Sequence, residues 1–238
     1  MNRPSVLNAL SKGMFKELKS AIQSASRDPN VFTVGVRGSG RAFSAGLDVR
    51  EVSGLTSRKE AREFVYDLVK PFWDQYLKCD KPILSVVDGP AYGAGAEIAL
   101  AADMVIASAR SSFAFSGGRV GALCCISAAF GQATMLGRKV VEMNLTGTPV
   151  GAEEARSVGL VNYVESSDGL NDRVQRVLGE MRHVSPVSNA SFKRIRRTQF
   201  SNRVLNVAYR ELFRTITSKD FKEGAIAFSQ KRPAHYRS

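Results

Sequence analysis

Twice before residue 100 the chain runs a string of apolar residues straight into a turn made largely of glycine, alanine and serine. Val31-Phe-Thr-Val-Gly-Val36 leads into Gly38-Ser-Gly-Arg-Ala-Phe-Ser-Ala-Gly46, and Pro82-Ile-Leu-Ser-Val-Val87 leads into Asp88-Gly-Pro-Ala-Tyr-Gly-Ala-Gly95. Short apolar runs bounded by glycine read as buried strands. A small-residue turn that opens a helix leaves backbone N–H groups unpaired, so it can hold an anion, either a phosphate or an oxygen that becomes negative during a reaction. Neither turn follows the GxxxxGK[ST] phosphate loop or the GxGxxG dinucleotide spacing. From the residues alone, an anion site and a close helix–sheet contact are both open.

The segments around these turns set the fold class. Met14, Phe15, Leu18, Ala21, Ile22 and Ala25 share one helical face, with Ser11 placed to cap it and Asp28-Pro29 to end it. Residues 58–78 return to helical spacing through Ala61, Phe64, Val65, Leu68 and Phe72, and Pro71 is expected to kink that helix. Ala96-Glu-Ile-Ala-Leu-Ala-Ala102 reads as a tightly packed helix, Met104–Ala107 and Phe113–Phe115 as short strands. From about residue 127 helical patterns dominate, broken by Gly159–Val164. Strands spaced too widely for hairpins point to an α/β fold of strand–strand–helix units with a helical C-terminal part. The Ser185-Pro186 junction divides a core, 1–185, from a basic helical region, 186–238.

Charge and cysteine usage narrow the partners. Of a net charge of +12, nine charges fall in residues 186–238, which hold 12 Lys/Arg against 3 Asp/Glu, densest at Lys193-Arg-Ile-Arg-Arg197. Such a segment can attract a phosphorylated ligand, nucleic acid, an acidic neighbour or an anionic membrane surface. With no aromatic platform interleaved, a solvated helix face or a partner for phosphates is preferred to RNA. Cys79, Cys124 and Cys125 form no metal or redox spacing and read as buried free thiols. No apolar run is long enough to span a membrane and Met1-Asn-Arg-Pro-Ser opens no signal peptide, so the expectation is a soluble intracellular protein.

Taken in order, six runs resemble the enoyl-CoA hydratase/isomerase (crotonase) superfamily across nearly the whole chain: Asn2–Leu10, Arg41–Asp48, Lys81–Leu100, which includes the Gly93-Ala-Gly-Ala-Glu97 turn, Leu145-Thr-Gly147, Gly151–Val161, and the ending Phe228-Ser-Gln-Lys-Arg-Pro233. The resemblance implies a crotonase/ClpP-like spiral of ββα units with a helical C-terminal trimerisation region, assembled as a homotrimer or a hexamer of two trimers. It implies an acyl-CoA thioester as substrate and no cofactor beyond the coenzyme A that the substrate carries. Its oxyanion hole would be the backbone N–H groups of Leu47 and Ala94, lined by Ala45, Gly46, Asp48, Gly93, Gly95 and Gly117, with Arg50 and the basic C-terminal region toward the CoA phosphates. Glu97 would be the acid/base. Read without the resemblance, a glutamate early in a helix is favoured by the helix dipole alone.

At one place the sequence departs from the pattern. Hydratases of the family carry a second glutamate four residues before a glycine; here Phe113-Ala-Phe-Ser-Gly-Gly-Arg-Val-Gly121 puts Gly117 there, and no carboxylate occurs between Asp103 and Glu142. Syn hydration needs one group to activate water and one to protonate C2. A single carboxylate suits a double-bond shift or another enolate-forming step, with Ser116, Arg119 and Cys125 as polar neighbours. A catalytically silent relative that binds acyl-CoA or RNA is the alternative. A serine hydrolase is disfavoured, because only His183 and His235 could serve as base and no G-x-S-x-G elbow is present. Relatives carry a strand ahead of the Asn-Arg-Pro run, which points to a shortened start and leaves mitochondrial matrix or cytoplasm open. The closing His-Tyr-Arg-Ser is not a peroxisomal signal.

Overall fold

Ser11 opens the first helix by accepting a hydrogen bond from the Met14 N–H at 3.1 Å, which satisfies one of the orphan amides of a helix start. A computed structural model describes residues 1–198 and 201–236; the last two residues of the closing His-Tyr-Arg-Ser run, 237–238, lie outside the described residues. Helix α1 (Lys12–Arg27) buries Met14, Phe15 and Ile22 and ends at Asp28. Strand β1 (Val34–Arg37) starts three residues later than the apolar run suggests, because its parallel partner begins only at Ile83, opposite Val34. After α2 (Val49–Ser53), α3 (Arg58–Glu63) is opened by a Ser57/Glu60 capping box. Ahead of Pro71 the helix widens into a π-helical segment, Phe64–Val69, in which the Lys70 N–H reaches back five residues to the Val65 carbonyl, before α4 (Lys70–Lys78) resumes. The wider turn accommodates a ring that would crowd the preceding carbonyl. Phe72, Trp73 and Tyr76 of α4 meet α1 in an aromatic cluster, Phe15 to Phe72 at 5.3 Å and edge-on.

The chain then repeats one pattern. β2 (Ile83–Val87) passes directly to β3 (Pro90–Tyr92) and α5 (Ala94–Ala101); β4 (Met104–Ser108) passes to β5 (Ser112–Ala114) and a 3-10 turn, Ser116–Val120. Helices α6 (Cys125–Thr134) and α7 (Gly137–Thr146), β6 (Val150–Gly151), α8 (Ala152–Ser157), β7 (Tyr163–Glu165), α9 (Leu170–Arg182), α10 (Pro186–Arg197), α11 (Asn202–Ile216) and α12 (Lys219–Ser229) complete the order. One sheet is parallel throughout, in the order β1-β2-β4-β7, and the other runs β3-β5-β6. A bridge between Ser44 and Ala91 adds the first glycine-rich loop to the edge of the second sheet. Each unit therefore gives one strand to each sheet and then a helix or turn, the ββα spiral. β2 is buried along its whole length, as a parallel strand covered on both faces must be. Among the described residues, no helix is long and apolar enough to cross a membrane.

The basic cluster is not a solvated face. Helix α10, capped by Ser185, turns its cations onto the start of the first sheet. Lys193 and Arg196 hold Asp103 at 2.5 and 2.7 Å, and Arg194 and Arg197 hold Asp80. Asp103 also accepts the Ile83 N–H at 2.7 Å, so one carboxylate ties α10 to β2 and β4. Lys193 is 9% exposed, and removing one partner of a shielded pair leaves the other charge stranded. Asp103→Ala should therefore lower unfolding free energy by about 3 kcal/mol, measured by urea denaturation; a change within about 0.5 kcal/mol would show that the network contributes little.

Candidate active site

The two glycine-rich loops meet backbone to backbone. Gly46 (φ +91°) and Gly93 (φ +52°) both sit in the left-handed region that favours glycine. A Cβ on Gly46 would lie 2.7 Å from the Tyr92 carbonyl oxygen and 3.1 Å from the Ala94 nitrogen, so only hydrogen fits between the loops. Gly95 is pressed in the same way onto Ser44. The N-terminal run braces the first loop: the Ala45 N–H donates to the Leu7 carbonyl, Leu10 N–H to Gly46, and Asp48 N–H to Leu10. Asp48 accepts from Arg3 at 2.9 Å, which ties loop to run. Among the described residues, neither the Leu47 nor the Ala94 N–H is taken by a hydrogen bond. The contact thus leaves two free amides on adjoining loops, the second in the first turn of α5.

Glu97, one turn further along α5, is 3% exposed. Its Oε1 accepts the N–H groups of Ile126 and Ser127 at 2.7 and 3.0 Å, both in the first turn of α6. Burial raises its pKa to about 8, against the opposing pull of those two amides. Leu47, Gly93, Ala94, Glu97 and Gly117 line one small cavity of about 40 Å³, walled otherwise by apolar residues such as Val52, Val120 and Phe221. An acceptor of protons therefore faces the same space as two unpaired donors.

The family model described as enoyl-CoA hydratase/isomerase matches residues 1–238. The chain belongs to that family. It is 27% identical over 242 residues to the mitochondrial enoyl-CoA hydratase of Pongo abelii, covering 100% of this chain and 82% of the relative. It is 31% identical over 238 residues to the mitochondrial enoyl-CoA hydratase domain-containing protein 3 of Rattus norvegicus, covering 98% and 78%. The solved enoyl-CoA hydratase/isomerase of Pseudoalteromonas atlantica superposes with a TM-score of 0.86 at 27% identity, over 100% of this chain and 94% of that one.

Against the family pattern, the Gly117 position is physically closed. A Cβ there would lie 2.8 Å from the Ala122 carbonyl oxygen and 2.9 Å from Cys124 Sγ, and the Gly117 N–H donates to that sulfur at 3.3 Å. Cys124, not the Cys125 singled out in the sequence, faces the cavity. Nothing in its spacing marks it; the turn Ser116–Val120 brings it round. Phe221, from α12, also had no sequence signal. Arg119 points away, donating to the Thr146 carbonyl at 3.0 Å, and Ser116 Oγ flanks Gly93. Ala45 and Arg50 are exposed and do not line the cavity, and among the described residues Arg50 makes no ion pair. His183 and His235 are exposed and line no part of the cavity.

This geometry sets how stability responds to pH and to substitution. From about pH 4.5 to about 8 the unfolded chain releases the Glu97 proton while the folded chain keeps it, so the native state loses stability as pH rises through that window. Glu97→Gln should match wild type near pH 4.5 and melt several degrees higher at pH 8.5, each tenfold change in proton affinity being worth about 1.4 kcal/mol; equal melting curves at both pH values would show an unshifted group. Gly117→Glu should destabilise by about 1–3 kcal/mol through overpacking without raising turnover of an enoyl thioester.

Proposed function

We propose that the thioester carbonyl oxygen of an acyl-CoA sits between the Leu47 and Ala94 N–H groups, with Glu97 as the acid/base beside its C2 and C3 carbons. The family makes the protein an acyl-CoA enzyme of the enoyl-CoA hydratase/isomerase type. The observation that carries the finer reading is that two unpaired amides and one buried carboxylate line the same cavity. An enolate forming on the thioester gains its negative charge at the oxygen, where fixed donors act most strongly and need no reorganisation. Gly46, Gly93 and Gly95 keep the two loops close enough for both donors to reach one atom, while Gly117 closes the far wall. Ala45, Asp48 and Arg50 adjoin the cavity-lining residues Leu47 and Val49 in the chain, and Arg50, exposed and without an ion pair among the described residues, is the cation we assign to the CoA phosphates. Coenzyme A enters as part of the substrate. The reaction class is addition of water to, or a double-bond shift within, an enoyl thioester of the kind met in fatty-acid β-oxidation. The exposed apolar residues Val187, Phe192 and Ile195 of α10 and Phe228 of α12 supply surface for the trimer common in this family. A silent RNA binder fits less well, because the densest basic cluster is spent on Asp80 and Asp103.

Two assays test this. Crotonyl-CoA turnover is followed by loss of the enoyl thioester absorbance, and exchange of the C2 protons of butyryl-CoA by deuterium uptake. Wild type should be active in the exchange, and Glu97→Gln should lower each measurable rate by about 10²–10⁴-fold. Gly46→Ala, which forces the loops apart, should cost about 10²–10³-fold. Absence of both reactions in the wild type would sink the proposal.

A further inference from the structure

Adding water across a C2=C3 bond requires a group that accepts a proton from water and a group that gives one to C2. Of the twelve residues lining the cavity, two carry side chains that can do so: Glu97 and Cys124. We propose that the Cys124 thiol is the second proton-transfer group of this cavity, standing against the position where Gly117 has no side chain. This rests on the acyl-CoA reading of the same site.

Three observations support the assignment. The sulfur lies hard against Gly117, so that a Cβ there would come within 2.9 Å of it, and it fills that part of the wall. The Gly117 N–H donates to it at 3.3 Å, which fixes the thiol and would stabilise a thiolate as it forms. The thiol also lies within the field of the Glu97 carboxylate; burial, and then that carboxylate, push its pKa well up. At neutral pH it is therefore a proton donor and not a nucleophile.

The step balances with no other reactant. Water loses a proton to the Glu97 carboxylate as its oxygen bonds to C3, and the C2=C3 electron pair moves into the enolate held by the Leu47 and Ala94 amides. The enolate then takes the proton from Cys124 Sγ, forming the C2–H bond and leaving a thiolate. Glu97, now protonated and the stronger acid of the two, returns its proton to sulfur, which restores the starting state. The net change is one water added.

The test uses the full chain with crotonyl-CoA hydration and butyryl-CoA exchange measured side by side. Removing the C2 proton in exchange is the reverse of delivering it in hydration, so both rates report the Cys124 thiol, and the affinity for butyryl-CoA, read by calorimetric titration, reports the packing of the cavity. Cys124→Ala should lower hydration by about 10²-fold or more, and exchange with it, while butyryl-CoA binds as tightly as to the wild type. Cys125→Ala, a deletion of equal size in the same helical turn that does not face the cavity, should leave both rates and the affinity unchanged. Cys124→Ser keeps the space filled and is the variant to read if the alanine protein fails to fold; it too should lower both rates without loss of affinity. Hydration at the wild-type rate in the readable Cys124 variant, or a fall in rate matched by an equal loss of butyryl-CoA affinity, overturns the proposal. Exchange without any hydration in the wild type overturns it as well while leaving the proposed function standing; loss of both in the wild type counts against the function itself.

Discussion

The contact between Gly46 and the Tyr92–Ala94 backbone is the constraint on which the site depends. Two polypeptide segments approach there with nothing but hydrogen between them, a separation that any Cβ would prevent. That closeness is prepared from several directions. The first loop pairs with the edge of the second sheet through Ser44 and Ala91, and the Asn2–Leu10 run threads along its other side. The second loop is fixed by β3 on one side and α5 on the other. Rigid sheet strands thus set the position of two main-chain donors, which is why small side chains, and not polar ones, fill this part of the sequence.

Glu97 is held between opposing forces, of which burial is the larger. Burial disfavours its charge, and the two amides at the start of α6 favour it, helped by the positive end of that helix. The outcome, a carboxyl that titrates close to neutral pH, is the condition under which one group both accepts and returns protons efficiently. The native state gives up some stability to keep it there, as functional sites commonly do.

Much of this was legible in the sequence, for identifiable reasons. The helix α1 was readable because its apolar period and Ser11 cap agree, and the two strand–turn–helix segments because glycine punctuates them so plainly. Leu47, Ala94 and Glu97 were reached through the resemblance, since the roles proposed for them fall on main-chain atoms or on a residue that a helix dipole alone would explain. What stayed hidden depends on long-range packing. Asp80 and Asp103 neutralise a cluster that stands 90 or more residues further along the chain, so the Lys193–Arg197 run looked exposed. The widening before Pro71 is a change of hydrogen-bond register that composition does not decide. Cys124 and Cys125 are indistinguishable as letters, and only the curl of the Ser116–Val120 turn separates them.

Phe221 belongs to α12, and that helix lies with its backbone against the 3-10 turn, at Gly224 over Val120 and at Gly121 beside Asp220. The wall it provides comes more than a hundred residues after Glu97 in the chain. A nascent polypeptide that has formed both sheets already owns its amides and its carboxylate, yet water still reaches them through the missing wall. In that state burial presses less on Glu97, while the two amides at the start of α6 still hold it. Its proton affinity thus reaches its final value only when the last helix docks, so the site is finished only when the fold is.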